Sequence, residues 1–186
     1  MKVIQWFPGH MAKAMRMMED NLKLCDAVVF VLDARVPASS YNARLADMVG
    51  GKPVLYLFNK ADMADGGADE AVALIKKSGK SVLKIAASSP ASLRPLQSAM
   101  DALVTQKRER FAQKGAVRPM RFLIAGIPNT GKSTLINLLS GGKKTQVGDK
   151  AGVTRTKQWV RCEAFELMDT PGTMPPSLAD QRLARR

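Results

Sequence analysis

Apolar residues follow two different rhythms along this chain. Between residues 11 and 25 they fall at Met11, Met15, Met18, Leu22 and Cys25, spacings of four, three, four and three that place them on one face of a helix. The stripe reads as core packing. Directly afterwards "AVVFVL" (27–32) is apolar without a break, and so is "PVLYLF" (53–58), which runs into Asn59. Unbroken runs of this length suit parallel strands covered on both faces. Between them lie the loop "DARVPASS" (33–40) and a short helix near 41–49. The pattern then predicts a helix near 68–78, a strand "SVLKIA" (81–86) and a long helix from about 91 to 113.

A polar segment with Gly and Pro, "QKGAVRP" (113–119), reads as a linker. Beyond it come a strand "MRFLIAG", a helix opening at Gly131 and running to Leu139, and a loop rich in Gly, Lys and Thr. "TKQWVRC" and "AFELMD" predict an antiparallel pair of strands, and residues 177–186 a short helix. Helices alternating with parallel-type strands predict an α/β fold with a doubly wound, mostly parallel sheet.

Four stretches, with the loop "AGVTRT" between two of them, carry chemistry. Gly126-Ile-Pro-Asn-Thr-Gly-Lys-Ser133 fits the phosphate-binding loop G-x-x-x-x-G-K-[ST], between a predicted strand and a predicted helix as the mechanism requires. Its glycines let successive N–H groups face phosphates, with Asn129, Thr130, Gly131 and Thr134 lining the turn and helix start. Lys132 is placed to reach the β- and γ-phosphates and Ser133 to ligate Mg²⁺. "MDTPG" puts Asp169 at a strand end 36 residues after Ser133, as a Mg²⁺-shell carboxylate, with the Gly172 N–H facing the γ-phosphate. In "AGVTRT", Thr154 is the better candidate metal hydroxyl and Thr156 the lesser one.

The third stretch, Asn59-Lys60-Ala61-Asp62, follows a buried strand. The Asp62 carboxylate, an acceptor only, matches the N1–H and 2-amino donors of guanine and mismatches adenine. Asn59 is expected to bond N7 and brace the loop, and the Lys60 stem to cover the ring. The fourth is "IAASS", where the Ala87 N–H is expected to meet guanine O6 between Ala86 and Ser88. These are the parts of a GTP/GDP site, with the base reader ahead of the phosphate loop: Asn59 precedes Gly126 by 67 residues. An ordinary GTP-binding domain has the opposite order, so the chain reads as circularly permuted, its old ends joined through 113–119.

Composition narrows the partners. The chain has 186 residues and a formal charge of +13, from 29 basic and 16 acidic side chains, a field that attracts polyanions. Basic residues cluster at Lys107, Arg108, Arg110, Lys114, Arg118 and Arg121, and again at Lys143, Lys144, Lys150, Arg155, Lys157 and Arg161; a simply soluble basic surface is the other reading. Few aromatics sit among them, which favours backbone over base contact. Cys25 and Cys162 suggest neither a disulfide framework nor a zinc site. No apolar run reaches membrane-spanning length, so no membrane partner is expected.

"IQWFPGHMAKA", "DARVPASS", "NKAD", "GIPNTGKST", "GVTRTKQWV" and "DTPG" together resemble the YlqF/RbgA family of circularly permuted ribosome-assembly GTPases. The resemblance implies a cytoplasmic P-loop GTPase that hydrolyses GTP to GDP and phosphate and acts in late assembly of the large ribosomal subunit, touching its rRNA and proteins. A monomer is expected. Residues 1–176 would be the GTPase domain, with a base-reading half (1–112), the linker (113–119) and a phosphate-binding half (120–176). Residues 177–186 would begin a helical C-terminal extension that is otherwise absent. Many GTPases orient water with a Gln after the Asp-x-x-Gly glycine, but Thr173 stands there. The resemblance offers His10 for that role, with loop organisation or helix capping as the other reading, and Asn129 as a K⁺ ligand or a plain structural residue. The alternative to a GTPase is a nucleotide-gated rRNA-binding module with negligible turnover. An ATP-dependent kinase conflicts with Asp62.

Overall fold

Every residue of β1 (Ala27–Asp33) is buried, and the sheet is built outward from it. A computed structural model describes residues 8–142, 146–147 and 159–169 of the chain. On one side β1 pairs in parallel with β2 (Val54–Asn59), from Val28 opposite Val54 to Asp33 opposite Asn59. On the other it pairs in parallel with β4 (Met120–Ala125), from Ala27 opposite Phe122 to Phe30 opposite Ala125. β3 (Ser81–Lys84) extends the first side in parallel, and β7 (Phe165–Asp169) the second. β6 (Trp159–Arg161) and β5 (Gln146–Val147) complete it in antiparallel sense, giving the order β3-β2-β1-β4-β7-β6-β5.

Strand side chains alternate between two cores. Val29, Val31, Leu55, Leu57, Phe122 and Ile124 pack with Leu96, Met100 and Val104 of α5 (Leu93–Gln113) and Leu135, Ile136 and Leu139 of α6 (Lys132–Ser140). The intervening Val28, Phe30, Leu32, Tyr56, Phe58 and Leu123 pack with Met18 and Leu22 of α1 (Pro8–Leu24) and with Leu45 and Val49 of α3 (Ala43–Val49). Both faces are therefore covered, which is why the strands read as unbroken apolar runs. α3 starts where the Asn42 side chain accepts the Leu45 N–H, an N-cap that satisfies one orphan donor. α4 (Asp69–Lys77) carries Asp69 and Glu70 in its first turn and Lys76 and Lys77 in its last, in the sense that opposes the helix dipole. Among the described residues no helix is long and apolar enough to cross a membrane.

Several boundaries differ from the expectation. The first helix begins at Pro8, not residue 11. A short helix α2 (Pro37–Ser40) occupies the expected loop; the Ser40 hydroxyl accepts the Asp33 N–H at 3.0 Å and donates to the Pro37 carbonyl at 3.0 Å, closing a turn no apolar rhythm announces. Of the described residues of "TKQWVRC", Trp159–Arg161 join the sheet, β3 stops at Lys84, and β5 was not expected. The 177–186 helix, Thr154 and Gly172 lie outside the described residues.

The linker joins the sheet through one buried carboxylate. Asp26, 2% exposed, accepts two hydrogen bonds of 2.8 Å from the Arg118 guanidinium, one of 2.8 Å from the Arg121 N–H, and pairs with Lys107 at 2.7 Å. Residues 107, 118 and 121 flank the connection from α5 to β4; Asp26 immediately precedes β1. Burial pushes the Asp26 carboxyl up, but Arg118, Lys107 and the Arg121 N–H outweigh it and lower the pKa to about 2. A depressed carboxylate stabilises the fold fully above its unfolded pKa and loses that contribution as pH falls through the folded one. Asp26→Asn should therefore cost about 2 kcal/mol in urea unfolding at pH 7. The difference from wild type should shrink between roughly pH 4 and pH 2; a constant difference across that range would contradict the ion pair.

Candidate functional site

β1, β2, β3, β4 and β7 are parallel, so their carboxyl ends share one edge of the sheet. From β1 the chain steps to β2 and β3 on one side; from β4 it steps to β7 on the other. The crevice where such a sheet reverses direction is where open α/β sheets bind ligands. The segments after β1, β2 and β4 meet there.

The loop after β4 is shaped by backbone that side chains would obstruct. Gly126 has φ +154, and a Cβ on it would lie 2.6 Å from the Val31 carbonyl oxygen of the neighbouring strand. Gly131 has φ +91 and faces the Asn59 amide so closely that any Cβ would collide with its nitrogen. Asn129 adopts φ +65, a left-handed conformation uncommon outside glycine. Thr130 is buried, its hydroxyl donating to the Ile127 carbonyl at 3.0 Å. Lys132 is buried as well, and its Nζ donates to the same carbonyl at 2.9 Å. Burial pushes the Lys132 pKa down, and the charge of Asp169 opposes the shift. Ser133 and Thr134 stand exposed on the first turn of α6.

The loop after β2 is tied to this one. The Asn59 side chain, 2% exposed, donates from Nδ2 to the Thr130 carbonyl at 3.0 Å and accepts the Ala87 N–H at Oδ1 at 2.9 Å. Lys60 has φ +64 and turns its Nζ to Asp33 Oδ2 at 3.0 Å and to the Asn129 carbonyl. Asp62 is exposed on a single 3₁₀ turn, Ala61–Met63. The Ala87 N–H, expected to meet guanine O6, donates here to Asn59, which thereby braces the loop after β3 as well as the loop after β4. Ala86 is held by Ser92, whose hydroxyl donates to the Ala86 carbonyl at 2.7 Å, while Ser88 is exposed.

One participant escaped the sequence reading. Asp33, 4% exposed, accepts from the Arg35 N–H and Nε at 3.0 Å each, from Arg35 Nη2 at 2.8 Å and from Lys60 Nζ. Hydrogen bonds from Arg35 and Lys60 hold its carboxyl well below the usual range despite burial. In the sequence it stands at the end of an apolar run and at the head of "DARVPASS", with no role assigned to it.

For a metal, the described residues offer Ser133 at the α6 start and Asp169 at the β7 end, on the strand that neighbours β4 with Asp169 opposite Ile124. No group of three or more His, Cys, Asp or Glu that could hold a metal occurs among the described residues. One hydroxyl and one carboxylate fit a small hard cation that takes its remaining oxygens from phosphate and water. His10 falls within α1, but its side chain lies outside the described residues.

Residues 121–186 match the family described as 50S ribosome-binding GTPase. A Bacillus cereus protein named ribosome biogenesis GTPase A is 43% identical over 99% of this chain, which spans 63% of that relative's length. A crystal structure of GNP-bound YlqF from T. maritima superposes with a TM-score of 0.65 at 30% identity, covering 92% of this chain and 63% of that one. The GDP-bound structure of the same protein gives 0.63 at 30% identity over 91% and 63%. With β2, which runs into Asn59-Lys60-Ala61-Asp62, ahead of β4, which runs into the G-x-x-x-x-G-K-S loop, and both ending at one crevice, the chain belongs to the YlqF/RbgA family of circularly permuted P-loop GTPases.

Proposed function

We propose that this chain binds GTP and GDP, hydrolyses GTP to GDP and phosphate with Mg²⁺, and acts in the cytoplasm, as a monomer, on the large ribosomal subunit late in its assembly. The observation that carries the reading is the hydrogen bond from Asn59 to Thr130, which makes the loop suited to guanine and the loop suited to phosphates one structure. The relatives' names, ribosome biogenesis GTPase A and the nucleotide-bound YlqF structures, support the same assignment.

In this reading Asp62 accepts the N1–H and amino hydrogens of guanine, and Asn59 uses its second amide hydrogen on N7. With Ala87 committed, the O6 contact passes to the residues that follow it. Lys132 leaves the Ile127 carbonyl for the phosphates; the exchange of a neutral acceptor for an anionic one is favourable. Mg²⁺, when bound, neutralises charge developing on the β- and γ-oxygens. Ser133, Thr154 and Asp169 would hold it directly or through water, and the Gly172 N–H would meet the γ-phosphate. His10 would orient the attacking water, and Asn129, exposed on its left-handed residue, would offer an oxygen to K⁺. Residues 1–176 would form the GTPase domain, with 177–186 leading into a helical extension. The basic surface would meet rRNA phosphates.

Asp62→Asn should exchange GTP for xanthosine triphosphate in a binding titration, because the amide offers a donor where the carboxylate accepted; unchanged GTP affinity removes Asp62 from the site. Hydrolysis of GTP should exceed that of ATP and rise in K⁺ over Na⁺ and with added large subunits; equal rates for the two nucleotides reject the assignment. His10→Ala should lower the stimulated single-turnover rate about 100-fold while leaving GDP affinity in place. An unaltered rate excludes it from water activation.

A further inference from the structure

The motif "DARVPASS" ends β1 inside the crevice, yet nothing in the proposed reaction uses it. Asp33 is its buried carboxylate. Four donors reach it: the N–H, Nε and Nη2 of Arg35, and Nζ of Lys60. That number exhausts the lone-pair positions of a carboxylate. Its backbone is equally fixed, with the Asp33 N–H on the Ser40 hydroxyl and the Ala34 N–H on the Asn59 carbonyl at 2.8 Å. Such a group is a rigid anchor for whatever it holds.

What it holds is the ammonium of Lys60, which also donates to the carbonyl of Asn129 in the phosphate loop. The adjacent carbonyl, that of Thr130, is taken by Asn59. A trans peptide is planar, with its C=O and N–H pointing in opposite directions. Pinning the Asn129 carbonyl therefore turns the Thr130 N–H away from Lys60, and pinning the Thr130 carbonyl turns the Gly131 N–H away from Asn59. Two consecutive N–H groups end up directed to the side opposite the base-reading loop, which is how a backbone nest for anions is built. Asn129 at φ +65 and Lys60 at φ +64 are both held in conformations that cost energy, and the shared hydrogen bond is what opposes their relaxation.

We propose that Asp33 is a positioning residue: by fixing Lys60 on the Asn129 carbonyl it presets the phosphate loop, so that the base-reading loop shapes the phosphate site before any nucleotide enters. The inference rests on the guanine-nucleotide reading above. Asp33 acts through Lys60 and touches no ligand, and its effect falls on the phosphate end of the nucleotide. Discrimination between bases stays with Asp62.

The test is the affinity of Asp33→Asn for fluorescently labelled GDP and xanthosine diphosphate. An amide at position 33 keeps the shape but loses the charge that aims Lys60. GDP affinity should fall about tenfold, the order of one charge-assisted hydrogen bond, with the ratio of GDP to xanthosine diphosphate unchanged. Lys60→Met should give a similar loss, and the double variant should lose little more than either single one. Unaltered affinity in Asp33→Asn, or losses that add in full, overturns the inference. Where Asp33→Asn gives no cooperative melt, Lys60→Met decides alone: reduced affinity with preserved selectivity supports the link, and unreduced affinity removes it. A wild-type protein that binds neither nucleotide overturns the guanine reading and this inference together, whereas wild-type binding with an indifferent Asp33→Asn overturns the inference alone.

Discussion

A single buried amide, that of Asn59, sets the terms for three loops. Its nitrogen donates to Thr130 after β4 and its oxygen accepts from Ala87 after β3, while it is itself the last residue of β2. Leaving either half unsatisfied at 2% exposure would cost about 1–3 kcal/mol. The amide occupies the space where a Cβ on Gly131 would lie, so the glycine in the loop after β4 answers to Asn59 in the loop after β2. The two motifs are 67 residues apart in sequence and adjacent in space because β1 brings β2 and β4 to its two sides.

Permutation is tolerable because it is confined to the other edge of the sheet. The connection from α5 to β4 arrives at the amino ends of the parallel strands, where Asp26 gathers Arg118, Lys107 and the Arg121 N–H. The ligand-side edge keeps the same neighbours whichever strand comes first. In both places a buried carboxylate does the joining: Asp26 secures the connection at the amino ends, and Asp33 secures Lys60 at the carboxyl ends. Both belong to the segment around β1, which lies between two parallel neighbours that themselves have parallel partners on both sides, and whose seven residues are all buried.

Much of this was legible in the sequence because two-sided burial leaves an unmistakable trace. Unbroken apolar runs located β1 and β2, a run broken only by Arg121 located β4, and helical spacing located α1, whose Met18 and Leu22 are buried, as is Cys25 just beyond its end. Residue type and spacing were also enough to mark the phosphate loop and Asn59-Lys60-Ala61-Asp62. What escaped depends on partners rather than periodicity. α2 is a turn closed by the Ser40 hydroxyl, the Ala87 N–H is drawn to Asn59, and the surroundings of Asp33 are set by the Lys60 ammonium beside it. None of these pairings leaves a spacing that can be read along the chain.

Charge is where the linear reading and the fold diverge most. A formal +13 with basic residues clustered at 107–121 suggests an open cationic stripe, but Lys107 and Arg118 lie on Asp26, Arg108 on Asp101, and Arg121 and Arg161 on Glu166. Asp26 and Glu166 are buried, so their cations are committed to them while keeping part of their surface outward; Arg121 also lies 5.0 Å above the Trp159 ring and Arg118 4.5 Å above that of Phe111. A guanidinium held this way loses little entropy when it meets a phosphate, yet its charge is already partly neutralised. Counterion release scales with the phosphates neutralised, so the paired residues weigh less in salt-dependent binding than their number implies. Asp26, which secures the permuted connection, thus also decides, with Asp101 and Glu166, which of the basic residues remain available to a polyanion.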